Sequence, residues 1–211
     1  MSGLLIIGAG GHGKVLAETA EASGRWTCIA FLDDRHAELN GTLRWPVLGA
    51  PAEASRWLGE YDAAAIAVGH SATRLRLLEL MRAQGFVVPA IVHPTAWVSS
   101  SARLGEGCVV FAQAVIQADA VLGRGVIVNT SASVDHDCRI GDGVHLCPGA
   151  RLAGEVVVGA ASWIGIGSSV IQQISMGAHV TIGAGAAVVD NIEDGCVAVG
   201  VPARIIKKQE S

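Results

Sequence analysis

Two stretches of this 211-residue chain carry side chains of the kinds that do chemistry. The first is Asp135-His136-Asp137-Cys138. An imidazole has an ordinary pKa of about 6.5, so it can take up a proton near neutral pH. A carboxylate beside it can orient the ring and raise its basicity. The same residues also suit a solvated surface histidine between acidic neighbours, and spacing alone does not separate the two. The second stretch is Gly8-Ala9-Gly10-Gly11-His12-Gly13-Lys14, with Asp33-Asp34 starting 20 residues beyond Gly13. A G-x-G-x-x-G loop between an apolar run and a helical stretch is a dinucleotide fingerprint. Amides at a helix N-terminus bind phosphate, and the acidic pair can hydrogen-bond a ribose or a base. Taken alone, the loop points to NAD as readily as to another nucleotide. Lys14 reads as solvated.

The scaffold that must hold these groups changes period partway along. Residues 1–92 alternate short apolar runs with helical stretches. Strands are expected over residues 4–7, 27–32 and 63–68, the last ending at Gly69-His70. A fourth begins at Phe86-Val87-Val88 and reaches toward Val92, but Pro89 interrupts it and makes it an edge strand. Helices are expected over 14–22, stopped by Ser23-Gly24, and over 72–83, stopped by Gly85. Strands alternating with helices imply a parallel sheet with covered faces, here a small Rossmann-like α/β domain. His93-Pro94 marks the junction, because a residue before proline is pushed to extended geometry.

From Val98 to Val188 every sixth residue is aliphatic or Met, sixteen times without an insertion. Four places after each stands a small or β-branched residue, from Ala102 through Cys138 to Ile192. A helix would scatter such a series over all its faces, and a flat strand would repeat every two residues. Period six fits a chain that turns a corner after each repeat and lays one aliphatic per wall against a common axis, with coils about 4.8 Å apart. In this register His136 takes the third place of the repeat starting at Val134 and points outward. Cys108 and Cys138 fall on inward places.

Composition narrows the classes. Hydrophobic residues make up 51% and charged residues 16%, which excludes a disordered chain. Only 4% is aromatic while glycine numbers 27, so the core is built from small and branched side chains. A net charge of −4 gives no reason to expect nucleic acid or an anionic membrane as partner. No secretory signal or membrane span is read. The five cysteines form no C-x-x-C pair and read as reduced, buried thiols of a cytoplasmic protein.

The motif aliphatic-Gly-x-x-small-x recurs at Leu104-Gly105, Leu122-Gly123, Ile140-Gly141, Val158-Gly159, Ile164-Gly165 and Ile182-Gly183. It resembles the hexapeptide-repeat acyltransferases, whose fold is a left-handed parallel β-helix with three repeats per coil. The tail Gly200-Val201-Pro202-Ala203-Arg204 is similar to that family's ending. Over the whole chain, the glycine loop, Phe31-Leu32-Asp33-Asp34, Asn129-Thr130-Ser131 and Val134-Asp135-His136-Asp137-Cys138 resemble one subfamily. It holds the bacterial nucleotide-4-amino-sugar N-acetyltransferases of the UDP-bacillosamine and GDP-perosamine type, with sialic-acid O-acetyltransferases related.

That resemblance implies an N-terminal Rossmann-like domain (1–92) for the nucleotide-sugar and a left-handed β-helix (93–211), assembled as a homotrimer with active sites between subunits. Acetyl-CoA is the implied co-substrate, with no metal. His136 becomes the general base, and Asp137 matches an acidic residue that is Glu in some relatives. One methylene shorter, its contact with the ring is not assured by sequence. His145 matches a contact to acetyl-CoA, its other reading being an exposed corner residue. Gly154, Gly165, Ile166 and Ala184 fall where relatives hold the pantetheine arm, Ala184 being Gly in some. Gly10, Gly11, His12, Gly13, Asp33, Asp34, Gly69 and Asn129 are the implied substrate contacts, although asparagine ladders are also common inside β-helices. The expected acceptor is the 4-amine of a UDP-4-amino-4,6-dideoxy sugar, with GDP-perosamine second. Two alternatives stay open: O-acetylation of a sialic-acid-type hydroxyl, and a non-catalytic NAD-binding or scaffold protein.

Overall fold

Leu4, Leu5, Ile6 and Ile7 offer no polar side chain to either face, which suits a strand covered on both sides. In a computed structural model, which describes residues 3–208, they form β1 (Gly3–Ile7), buried throughout. Helix α1 (Gly11–Ala22) starts three residues earlier than the side-chain pattern indicates, because glycines can occupy its first turn. Next come β2 (Cys28–Leu32), the short α2 (His36–Leu39), β3 (Val47–Gly49), β4 (Ala63–Ile66), α3 (Ser71–Ala83) and β5 (Ile91–Val92). The sheet runs β3-β2-β1-β4, all parallel. Met81 and Leu78 of α3 pack on Leu5, Ile7 and Ile66 in its core.

The fourth strand of this sheet is Val47–Gly49, not the segment at Phe86-Val87-Val88. Val87 makes a single parallel bridge to Ala63, and Pro89, two residues on, lacks the N–H that would extend the ladder on that side. Val47–Gly49 escapes a pattern reading because it has three residues between Pro46 and Ala50. Phe31 N–H donates to Pro46 O (2.8 Å) and Asp33 N–H to Gly49 O (2.9 Å).

The chain divides into two compact units after Pro94. Beyond it, sixteen two-residue strands run from Trp97–Val98 to Ala187–Val188, one for each hexapeptide. They stack as three parallel sheets, the walls of a left-handed β-helix. The first wall holds the strands at Trp97, Val115, Ser133, Arg151, Ser169 and Ala187. The second holds those at Arg103, Val121, Arg139, Val157 and Ser175, and the third those at Val109, Ile127, His145, Trp163 and Thr181. Partners are 18 residues apart, as in Leu122 beside Ile140. Cys196–Val199 continues the third wall in parallel and Arg204–Lys208 closes it as an antiparallel hairpin.

The inward small residues explain the composition. Cys108, Ala114, Ala120, Val126, Ala132, Cys138, Val144 and Ala150 are fully buried where walls converge. One expectation about thiols is corrected: Cys28 is exposed, with its sulfur 3.4 Å from the Tyr61 hydroxyl, because it begins a strand outside the helix. Corners are made by residues of positive φ at every sixth place from Gly107 to Gly185, and eight of these are not glycine. Asp137, at φ +61°, is one of them. Left-handed backbone is unfavourable for a non-glycine residue, and here it is held by the stack, Asp137 N–H donating to Ala118 O one coil earlier (3.0 Å).

Candidate active site

His136 and Asp137 lie in the turn at the corner between the first and second walls, Asp137 on its left-handed residue. That turn swings the Asp137 carboxylate back beside its neighbour, and Oδ2 sits 2.8 Å from His136 Nδ1. The shorter side chain therefore reaches the ring. A carboxylate can only accept, so Nδ1 carries the proton and Nε2 keeps its lone pair. Asp135 faces the same residue from the other side, accepting the His136 N–H at 2.8 Å. The Asp137 hydrogen bond, outweighing partial desolvation, raises the His136 pKa, helped by the charges of Asp135, Asp137 and Glu155. Gly154 lies against the imidazole, one coil later: a Cβ there would stand 2.5 Å from Nε2.

A raised pKa has a definite sign for catalysis. A general base works in its neutral form, so the acid limb of kcat/KM against pH should lie above that of an unperturbed histidine. Asp137→Asn should move that limb to lower pH. It should also cut the plateau about tenfold, a fraction of the 10²–10⁴ that a general base supplies. A pH series on the two proteins checks both, and an unmoved limb would remove Asp137 from the role.

A second group forms at a different corner, between the third and first walls. Asn129 Oδ1 accepts from Thr130 N–H at 2.8 Å, which fixes the amide so that Nδ2 faces His145 Nε2 at 3.2 Å. His145 is 6% exposed. It is therefore not an open corner residue: it stands in the third wall, its ring 4.3 Å from that of Trp163 one coil on. Gly165, Ile166 and Ala184 continue this corner, where Trp163 and Ile166 leave apolar surface exposed. Asn129 and His136 thus share no corner. Roughly one wall, six or seven extended residues or up to about 20 Å, lies between them. Cys138, two residues beyond His136, is no rival nucleophile, since burial pushes its thiol up to about 11.

The N-terminal unit has its own concavity, about 330 Å³, at the carboxyl ends of the strands. It opens where the strand order reverses about β1, the switch point at which parallel α/β sheets bind ligands. Gly8, Asp33 and Asp34 line it, as do Thr73 and Arg76 of α3, which sequence reasoning did not single out. The available signal was position: α3 opens a second strand-to-helix turn on the same edge, and residues 73 and 76 share one helical face. Asp33 is already engaged, accepting from Ala9 N–H at 2.8 Å and from Arg35 N–H at 2.9 Å. Burial pushes its carboxyl up, but these bonds and the Arg35 charge win and hold it below the ordinary value. It pins the glycine loop, and Asp34 is the exposed acid.

The glycines divide likewise. Gly13 is required by packing, since a Cβ there would meet Gly8 O and come 3.2 Å from the Phe31 ring. Gly10, Gly11 and Gly69 have open space where a Cβ would go, so packing does not require glycine there. His12 is pushed down to about 4 by burial and by the charge of Arg74, so its ring stands neutral near pH 7. Arg74 is itself buried, donating to Val68 O at 2.8 Å and Gly69 O at 2.6 Å. Among the described residues no cluster of His, Cys, Asp or Glu could hold a metal, and no helix is long and apolar enough to cross a membrane.

Residues 3–81 match the family model of the PglD N-terminal domain. A segment of 114 residues is 42% identical to UDP-N-acetylbacillosamine N-acetyltransferase of Bacillus subtilis (strain 168), spanning 53% of this chain and about half (52%) of that relative. Among solved structures, the acetyltransferase domain of PglB from Neisseria gonorrhoeae FA1090, in complex with acetyl coenzyme A, superimposes with a TM-score of 0.92. It is 46% identical and covers 97% of this chain and 98% of its own. PerB from Caulobacter crescentus, in complex with CoA and GDP-perosamine, gives a TM-score of 0.90 at 38% identity, covering 98% of each chain.

Proposed function

The chain belongs to the hexapeptide-repeat nucleotide-amino-sugar N-acetyltransferases, and from that premise we propose that it moves the acetyl group of acetyl-CoA onto the 4-amine of a nucleotide-linked sugar. The observation that carries this reading is the His136–Asp137 pair, with Nδ1 tied to the carboxylate and Nε2 left as base. The neutral amine attacks the thioester carbonyl as Nε2 takes its proton. The tetrahedral intermediate collapses with cleavage of the C–S bond, and the proton leaves with the CoA thiolate. No acyl-enzyme is needed, and a buried thiol such as Cys138 does not compete.

The division of the site between two corners supports a homotrimer. One chain's His136 corner and a neighbour's Asn129–His145 corner would face each other across a groove, which Gly154, Gly165, Ile166 and Ala184 would line for the pantetheine arm. In the N-terminal domain, taken as residues 1–92, Gly10, Gly11 and Gly69 would leave backbone open to the diphosphate and Asp34 and Arg76 would read the nucleotide, with His12 donating or accepting as a neutral ring. We assign the reaction to the cytoplasm. The match to the Bacillus enzyme favours a UDP-4-amino-4,6-dideoxy sugar, and the GDP-perosamine complex of PerB favours GDP-perosamine next. Thiol release from acetyl-CoA, measured with UDP-, GDP- and dTDP-4-amino sugars and with free sialic acid, tests this. Turnover on one of the first three is expected. Turnover on sialic acid alone would mean O-acetylation, and NAD binding without any thiol release would overturn the enzyme.

A further inference from the structure

Gly154 occupies the place in its coil that His136 occupies in the coil before, and Glu155 N–H donates to His136 O at 2.9 Å. Its backbone does not demand glycine, for φ lies outside the left-handed range that side chains avoid. Nor does the stack. A Cβ on Gly141 would meet the next coil's backbone, 2.6 Å from Ala160 N and 2.9 Å from its Cα. The three atoms nearest a Cβ on Gly154 would all belong to one side chain: it would stand 2.5 Å from Cε1, 2.5 Å from Nε2 and 3.2 Å from Cδ2 of His136. The bare Cα is the floor on which the imidazole lies, and the nitrogen left free by Asp137 is the one directly over it. We propose that Gly154 is a positioning residue, which by lacking a Cβ lets His136 keep Nδ1 on Asp137 while presenting Nε2 to the acceptor amine. This rests on the reading of His136 as base, and it differs from a role for Gly154 in clearing a path for pantetheine.

The test is Gly154→Ala in the full chain. The ring is half exposed and can swing into solvent, so the melting temperature should stay within about 2 °C. Misplacing a catalytic group by about an ångström can cost 10²-fold, and kcat should fall by about 10–10², with KM for acetyl-CoA within about twofold. Off Asp137, the ring would face only Asp135 and Glu155 more distantly, so the acid limb should move to lower pH. Added to His136→Ala, the substitution should cost nothing further, because residues acting through one another are not additive. A raised acetyl-CoA KM with kcat kept, or the same loss on both backgrounds, would overturn the proposal in favour of pantetheine clearance. A proton titration of His136 by NMR in histidine-labelled Gly154→Ala protein gives an answer without turnover, and an unmoved midpoint overturns it. Full activity of His136→Ala would instead remove the base assignment, and the titration would still decide whether Gly154 holds the ring.

Discussion

His136→Ala should lower kcat by about 10²–10⁴-fold, the range a positioned general base supplies, while leaving the fold, the assembly and both KM values nearly unchanged. The side chain stands 54% exposed at a corner, and its removal takes nothing from the packed interior. What remains is proximity: the acetyl-CoA and the acceptor are still held together, so a residual rate should persist. That residue should lose the acid limb that titrates with His136, since no side chain must then be deprotonated to accept the proton. His136→Gln, which keeps a polar group but no basic nitrogen, should fall nearly as far. Turnover and KM for both substrates, measured across pH, check the claim. Unchanged turnover in the alanine variant would sink the assignment.

His136 was legible because the hexapeptide register is strict. Once Val134 is inward, the third place must be outward. The role of base came from the family resemblance, because an outward histidine between two carboxylates also suits a solvated surface. The register also separates Asn129 from His136, since seven residues exceed one repeat. The 2.8 Å contact of Asp137 was not legible, because it depends on a left-handed corner residue. Corner places carry Gly, Asp, Ser, Gln, Glu, Ala and His alike, so no residue type marks the turn. Burial of His145 was hidden for a related reason: outward places in the walls are normally wet, and this one is covered by the tilted Trp163 ring one coil on. In the N-terminal unit, the glycine loop was readable but its division of labour was not. Asp33 looks like a ribose ligand until its oxygens are seen on Ala9 and Arg35, and Thr73 and Arg76 look like any polar face of an amphipathic helix. The edge strand Val47–Gly49 went unread because three residues carry too little pattern.

Leu146→Ala should cost about 4–5 kcal/mol of stability, the upper part of the 2–5 range for such deletions in cores. Leu146 is fully buried, in register between Val128 and Ile164 in the middle of the third wall. A cavity is cheap where the surroundings can sink into it. Here they cannot, because the backbone is tied above and below: Asn129 N–H donates to Leu146 O at 3.0 Å and Cys147 N–H to Ile164 O at 2.9 Å. The inward corner residues on either side of it, Val144 and Ala150, are small and have no length to fill the gap. In a stacked array each coil is stabilised by its neighbours, so a weak central coil loosens two interfaces. Val188→Ala, which removes less carbon from the last two-residue strand, should cost clearly less. Urea midpoints at several protein concentrations separate this loss from any contribution of assembly. A shift equivalent to less than about 1 kcal/mol would mean that the walls do yield. In protein that remains folded, the pH dependence of turnover should be that of the parent, because the base sits at a corner outside the stack while Leu146 lies inside it.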